Sequence, residues 1–296
     1  MNHFYIITNG HKDHNLEKTN EIRQYLEKKQ KKCTVQVKEP GKEQKYTDAG
    51  QIPDDVDCIL VLGGDGTLLQ AARDMIHKDI PLLGINLGTL GYLAEIEETG
   101  IYAALNRLLE GGYEVEQRMM LAGRILRGSF HEKKHADKGL AECGTEQSYA
   151  LNDITITRSG SLQIIRFRIF VNGQFLNEYQ ADGVIVATPT GSTGYNLSAG
   201  GPIVEPKAEL ILITPISPHT LNTRSIILSP GDQVEVEIGG GREGTVQHVE
   251  VNFDGSHNVT LYTGDRVMIE RAITATGIVK LNKVSFLEAL HKKLSV

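Results

Sequence analysis

Tryptophan is absent from this chain of 296 residues, aromatic residues make up only 6%, and there are three cysteines. Cys33, Cys58 and Cys143 are scattered, with no CxxC pair and no even-numbered framework. Neither a disulfide scaffold nor a zinc ribbon is encoded, and a reducing, cytoplasmic setting is expected. Long apolar runs are missing as well. The best, Val56 to Leu62, is broken by Asp57 and falls far short of the ~20 residues that span a bilayer, so no membrane partner is expected. Met1-Asn2-His3-Phe4 shows no basic segment followed by an apolar core, so no secretory signal is expected. Basic charge is not in excess either. The balance of 31 Lys and Arg against 37 Asp and Glu gives a net charge of −6, which argues against nucleic acid as a partner. What remains is ordinary globular material, 40% hydrophobic and 23% charged, and its length suits two domains of about 150 residues each. Glycine, at 31 residues, is plentiful.

The first 110 residues alternate strand and helix signals. Phe4 to Ile7, Cys33 to Val37, Val56 to Leu62 and Ile80 to Ile85 read as strands. Leu16, Ile22, Tyr25 and Leu26 read as one helical stripe; Leu68, Ala71, Ala72, Met75 and Ile76 as another, with Thr67 placed to cap it; Tyr102, Leu105, Leu108 and Leu109 as a third. Such alternation predicts a parallel sheet with helices on its faces. From Met119 the pattern becomes strands without helices, including a hairpin at Asn172-Gly173. Phe286, Leu287, Leu290 and Leu294 then describe a terminal helix too short to stand alone, which must dock on something. The predicted fold is an α/β N-terminal domain with a parallel sheet, residues 1–118 plus 277–296, and a mostly-β C-terminal domain, residues 119–276. Gly128 to Gln147 is a polar insertion; its His131, His135 and Cys143 lack a metal-site motif and read as a solvated hairpin tip.

Two glycine-rich segments carry the functional signal. Gly63-Gly64-Asp65-Gly66-Thr67 joins a strand to a helix, where bare backbone N–H groups and the positive helix end suit a phosphate. It is neither a Walker A loop, lacking Lys-Ser/Thr, nor a GxGxxG fingerprint. Its aspartate is unfavourable beside phosphate unless it does chemistry, binds a metal or pairs with a sugar hydroxyl. Gly84-Ile85-Asn86-Leu87-Gly88-Thr89-Leu90-Gly91 supplies a second such turn, and in an open parallel sheet both converge on one crevice. The segment Asp182 to Pro202 follows an apolar strand with Gly, Ser, Thr, Pro and Ala, a polar lining of little bulk that suits a sugar or base, while Tyr195 offers a ring for stacking. By composition alone it also fits a structural loop.

GGDGT at 63–67, GINLGTLGYL at 84–93, LND at 151–153, DGVIVATPTGSTGYNLSAGGPIV at 182–204 and PISPHTL at 215–221 occur in this order. Together they resemble the NAD kinases, which phosphorylate the 2′-hydroxyl of the adenosine ribose of NAD to give NADP. GGDGT alone is shared with diacylglycerol and sphingosine kinases; the TPTGSTGY-x-LSAGGPI block followed by PHTL is the specific part. The resemblance implies a β-sandwich-like second domain and a C-terminal tail that returns to the first. It makes Asp65 the general base, with Gly64, Gly66, Thr67 and Asn86 around the substrates. Asn152 and Asp153 match the pair that binds the adenosine portion of NAD. Asp182 matches an aspartate near the nicotinamide end, supplied in many members across a subunit interface. Thr190 and the run Thr193, Gly194, Tyr195, Asn196, Leu197 and Ser198 match the loop around adenine and ribose. Ser217 falls where a small residue lines the pocket in the family, and Gln163, Gln180 and Ser256 align with further contacts. Asp153 stands where many members carry Glu, and Gly194 where Ala is common.

The implied chemistry suits these residue types. Phosphoryl transfer depends on positioning and charge neutralisation more than on a strong base, so a carboxylate that accepts the hydroxyl proton late is adequate. A divalent cation, Mg²⁺, is expected to arrive with ATP, since no carboxylate cage is apparent. The resemblance also implies a homodimer or homotetramer, with ATP or polyphosphate as donor. Three other readings compete: a lipid kinase sharing Asp65, which needs an apolar acyl cleft; a silent dinucleotide sensor, which needs no base; and a purely structural β-protein, which leaves both glycine-rich loops unexplained.

Overall fold

The computed structural model describes residues 1–38, 47–88, 91–94, 96–128, 147–160, 164–220, 224–281 and 285–294. The chain divides into two compact units, residues 1–118 with 274–296, and residues 119–273.

In the first unit β1 (His3–Asn9), β2 (Lys32–Lys38), β3 (Cys58–Gly63) and β4 (Leu82–Asn86) run parallel in the spatial order β2-β1-β3-β4. β5 (Ile96–Glu97) also pairs with β4. A strand from the chain's end, Thr276–Lys280, joins β4 in parallel and β6 (Glu114–Arg118) antiparallel, so the sheet is mixed and the tail is part of it. β3 and β4 are buried throughout, and β1 up to Asn9, because helices cover both faces and each strand can be apolar on either side. Phe4, Ile6, Leu60, Leu62, Leu83 and Ile85 meet Ile22 and Leu26 of α1 (Glu17–Lys28) and Ile101, Ala104, Leu105 and Leu108 of α3 (Ile101–Leu109). On the opposite face α2 (Asp65–Asp74) lies against β3 and β4 through its fully buried Leu68, Ala71 and Ala72. Tyr102 is not in the α3 stripe. It is 47% exposed and its ring meets Tyr25 of α1 edge-on at 5.1 Å. In the C-terminal helix Phe286–Leu294, Leu287 is 71% exposed, so the strand before the helix makes the firmer link to this unit.

The chain leaves β1 towards β2 on one side and returns to β3 on the other. The carboxyl ends of β1 and β3 are therefore the switch point of the sheet, the place where open α/β sheets bind ligands.

The second unit consists of two antiparallel six-stranded sheets. Its strands are β7 (Leu121–Leu126), β8 (Gln147–Ala150), β9 (Asp153–Arg158), β10 (Ile165–Val171), β11 (Gln174–Ala181), β12 (Gly183–Ala187), β13 (Ile211–Ile216), β14 (Ile226–Leu228), β15 (Val234–Ile238), β16 (His248–Phe253), β17 (His257–Tyr262) and β18 (Arg266–Arg271). The orders are β11-β10-β15-β18-β7-β8 and β14-β13-β12-β9-β16-β17. Alternating residues of both sheets, among them Phe167, Ile169, Val236 and Val267 from one and Ile154, Ile156, Val184, Val186 and Val251 from the other, form one core, as in a sandwich. Asn172 and Gly173 take φ of 51° and 75°, the turn their dipeptide predicts. The outer face of β12 and β13, through Ile185, Ala187 and Leu212, is covered by Ala199, Val204 and Leu210. The long glycine-rich segment is thus packed onto its sheet. Residues 129–146, with His131, His135 and Cys143, lie outside the described residues.

Leu62 is fully buried near the end of β3, just before the first glycine-rich loop. Leu62→Ala is expected to lower stability by about 2–5 kcal/mol through lost burial and a cavity, read as a lower urea midpoint of the transition that includes the first unit.

Candidate functional site

At the carboxyl end of β3, Gly64 is the N-cap of α2, with extended φ and ψ of −123° and −174° and no side chain capping the helix. No side chain caps the first-turn amides, of which the Thr67 N–H is spent on Gly64 O at 2.9 Å, and Gly66 is exposed with open space where a Cβ would point. Thr67, expected as the cap, lies instead inside the first turn. It is 5% exposed and its hydroxyl accepts from Asn9 Nδ2 at 3.4 Å. This back-fold requires Gly63, because a Cβ there would lie 2.4 Å from Thr67 Oγ1.

Asp65 is half-buried and its carboxylate is engaged by main chain. Oδ2 accepts the Tyr92 N–H at 2.6 Å, and Oδ1 accepts those of Leu93 and Ala94 at 3.2 and 3.1 Å. Of a carboxylate's roughly four lone-pair positions, one on Oδ2 remains for another donor. Asp65 thereby fastens the second glycine-rich segment to the first, and the Leu87 N–H to Gly63 O bond of 2.8 Å adds a second tie. Gly91 has to be glycine, since its Cβ would lie 1.9 Å from Asp65 Oδ1. Asn86, 2% exposed at the end of β4, donates to Gly88 O at 2.9 Å, while its Oδ1 is buried without a partner among the described residues. Residues 89 and 90 of this motif lie outside the described residues.

In the second unit the corresponding fastener is Asp254, which the motifs did not single out. From the left-handed φ of 50° its carboxylate accepts the N–H groups of Leu151, Asn152 and Asp153 at 2.8, 2.8 and 3.2 Å. Ser256 is exposed in the same turn. Thr188 holds the other side, its N–H reaching Asn152 O at 2.9 Å and its hydroxyl Leu151 O at 2.6 Å. Gly191 then packs on the Asn152 main chain, where a Cβ would lie 2.1 Å from the carbonyl oxygen, and Gly194 passes beside the Asn152 amide. This packing leaves polar atoms unanswered. Asn152 Oδ1 and Thr190 Oγ1 are buried with no partner among the described residues. No described residue donates to the Asp153 carboxyl group, which is on a residue only 6% exposed. Burial, and then the charge of Asp254, push Asp153 up to about 7.

The 190–198 segment is a 3-10 turn, Thr190–Thr193, followed by one helical turn, Tyr195–Ser198. Asn196 is fully buried and spends its side chain on this chain: Nδ2 donates to Ser192 O and Pro202 O at 3.2 and 3.1 Å, and Oδ1 accepts from Thr214 Oγ1 at 2.7 Å. Tyr195 and Ser198 are exposed, and Thr193, Gly194 and Leu197 half-buried. The remaining expected residues gather at the opposite end of β12. Asp182 pairs with Arg158 at 3.0 Å and its N–H reaches Ile216 O. Exposed Ser217 follows with a φ of 45°, and exposed Gln180 accepts the His219 N–H through its carbonyl. The five residues of β12 put about 16 Å between the two groups. Gln163 and Leu221 lie outside the described residues. Among the described residues no three His, Cys, Asp or Glu side chains converge to hold a metal ion, and no described helix is long and apolar enough to cross a membrane.

An open α/β sheet with an uncapped helix start at its switch point, in a chain whose other unit presents buried unanswered polar atoms, defines a nucleotide-binding class of protein. The comparisons resolve the class. The ATP-NAD kinase N-terminal domain matches residues 4–113, and the ATP-NAD kinase C-terminal domain residues 151–281. The NAD kinases of Agathobacter rectalis and Lachnoclostridium phytofermentans are each 46% identical to this chain, with 99% of both chains covered in each case. The crystal structure of yeast NADH kinase complexed with NADH superposes with a TM-score of 0.81 at 25% identity, covering 100% of this chain and 88% of that one. The chain belongs to the NAD kinase family.

Two outcomes follow from the second unit. Gly191→Ala should separate the 190–194 turn from Asn152, lowering the thermal midpoint and weakening NAD binding together. For Asp153, a folded-state value of about 7 against an ordinary 3.8 means its stabilising contribution is complete below the ordinary value. That contribution is lost as the pH rises through the folded one. Between about pH 5.5 and about pH 8 the wild-type midpoint should therefore fall more than that of Asp153→Asn, read by differential scanning fluorimetry across the range.

Proposed function

We propose that the protein is an NAD kinase that uses Asp65 to receive the ribose hydroxyl proton. Membership of the family gives the reaction class, transfer of a phosphoryl group to an alcohol. The observation that carries the assignment of roles is the remaining acceptor position on Asp65 Oδ2, held in place by three main-chain donors. The ribose 2′-oxygen attacks the terminal phosphorus of ATP, the bond from that phosphorus to the β,γ-bridging oxygen breaks, and ADP departs. The hydroxyl proton passes to Oδ2 as the new P–O bond forms, which suits a transition state with little early demand on the base. The α2 amides at Gly64 and Gly66 bind donor phosphate oxygens, with Thr67 and Asn86 shaping the two loops. A divalent cation, Mg²⁺, enters with the nucleotide, and no step here runs through it.

In the second unit Asn152 Oδ1, Thr190 Oγ1 and the Asp153 carboxyl group are the polar atoms a bound adenosine would answer, with Tyr195 against a ring, Thr193, Gly194 and Leu197 alongside, and Ser198 and Ser256 at the rim. Asn196 acts from behind by holding the turn. Gln180, Asp182 and Ser217 lie too far along β12 to touch the same adenosine. They serve the nicotinamide end, or the site of a second copy in a homodimer or homotetramer, and Gln163 is assigned with them from the family pattern alone.

The test is NADP formation from NAD with Mg²⁺ and ATP, then with polyphosphate, for the wild type and Asp65→Asn. The variant should lose roughly 10²- to 10⁴-fold in kcat while its NAD dissociation constant stays within about twofold, as expected for a group that acts in the chemical step. Its thermal midpoint should also fall, because an amide nitrogen would face a main-chain N–H. No product from either donor while NAD still binds would leave a sensor; no NAD binding would reject the dinucleotide.

A further inference from the structure

The two glycine-rich loops of the first unit face a side chain that neither their motifs nor the family comparisons assign. A Cβ on Gly64 would lie 2.6 Å from Lys12 Nζ, and one on Gly88 would lie 3.6 Å from it. The ammonium group therefore rests over both loops, in space that two missing side chains leave open. Lys12 belongs to the loop after β1, at the β1/β3 switch point, and no described carboxylate pairs with it.

An exposed lysine is ordinarily a solvated one, but the main chain beneath Lys12 is fixed. Asn9 O accepts the N–H groups of Lys12 and Asp13 at 2.9 and 3.0 Å, and Asn9 Oδ1 accepts that of His11 at 3.1 Å. The Asn9 amide also reaches Thr67 on α2 at 3.4 Å, tying this loop to the helix that starts in the glycine-rich turn. Asp13, 2% exposed, accepts from the N–H groups of Lys18 and Thr19 at 3.0 and 2.9 Å and anchors the loop to α1. Asn15 and Leu16 hold left-handed φ of 55° and 56°. For a leucine that conformation is strained, and such strain persists where surrounding bonds over-determine the backbone.

We propose that Lys12 is the cation that binds the phosphates of ATP, its Nζ donating to phosphate oxygens gathered at the α2 amides. This assignment rests on the NAD kinase reading above. In a chain of net charge −6, with Asp65 in the same loop cluster, a positive group at this position offsets the repulsion a triphosphate meets. It also stabilises the charge that builds on the departing ADP. The NAD pyrophosphate has the same chemistry, and the test separates the two sources.

Lys12→Met and Lys12→Arg, in the full chain, are compared with wild type by steady-state kinetics with ATP and NAD varied separately. Direct calorimetric binding of ATP, and of adenosine as a phosphate-free probe, accompanies them. Lys12→Met should lower kcat/KM for ATP and weaken ATP binding by roughly tenfold to hundredfold, the scale of a lost charge-assisted contact. KM for NAD, adenosine binding and the thermal midpoint should be unchanged, and Lys12→Arg should recover most of the loss. Unaltered ATP parameters, a loss that falls on NAD, or equal losses for adenosine and ATP would each overturn the proposal. If the wild type makes no NADP, the kinase reading fails by itself. ATP binding then still decides Lys12: weakening in Lys12→Met upholds the phosphate contact, and no change removes it.

Discussion

A carboxylate that accepts several consecutive main-chain N–H groups is the interaction on which both functional regions depend. Asp65 does this for residues 92–94 and Asp254 for residues 151–153. Asp13 does it at the start of α1. Glycine-rich segments have little side-chain packing to hold them and lose much conformational freedom on folding. Charge-assisted bonds to their amides compensate, each stronger than a neutral bond between main-chain groups. The device fixes the loop without placing side-chain bulk in it, leaving the opposite side of the main chain free for a ligand. It also explains an aspartate at the centre of a glycine-rich turn proposed to bind phosphate, where its charge alone would be unwelcome: most of its acceptor capacity is used within the chain.

Asp153 shows the opposite arrangement. Burial disfavours its ionisation, and the Asp254 carboxylate that fastens its neighbour Asn152 adds to the effect, so the same charge that orders the turn opposes a second carboxylate beside it. The turn is built at some cost in stability near neutral pH. Donors brought by a ligand would relieve both effects, since an answered carboxylate needs no water. Buried acceptors without partners at Asn152 and Thr190 belong to the same pattern. A site prepared for polar contacts is left incomplete until they arrive.

Much of this was legible in the sequence where a local rule operates alone. Strand-helix alternation gave the parallel core of the first unit, Asn172-Gly173 gave a hairpin of the second, and the order of the glycine-rich motifs gave the family. Helix starts were less legible. Thr67 has the residue type of a cap, yet it turns inward because Asn9, 58 positions away, offers it a partner. Tyr102 has the spacing of a core residue, yet its phenol edge is better placed against Tyr25 with the hydroxyl in water. Asp254 was invisible because its role lies about a hundred residues away from it, in a turn whose own sequence names no partner. Lys12 was invisible for the same reason: a lysine in a polar loop reads as solvated until the fold places two glycines beneath it.

The glycines themselves change meaning once the atoms around them are known. Composition alone credits them to a ligand, as room for phosphate or ribose to approach bare backbone. At Gly91, Gly191 and Gly201 the space a Cβ would occupy is already filled by Asp65, by the Asn152 carbonyl and by the Asn196 side chain. Those glycines are required by packing within the chain, whatever binds. Gly66 is different, with nothing near its missing Cβ, and Gly64 is different again, since Lys12 Nζ stands there and can be displaced or engaged by an anion. Of the bare positions in GGDGT, then, the first serves Thr67, the second faces a cation, and the third alone opens to solvent. A motif that reads as one phosphate-binding unit separates physically into a structural residue, an electrostatic one and an approach path, and only the last two are clear of packing against fixed parts of the chain.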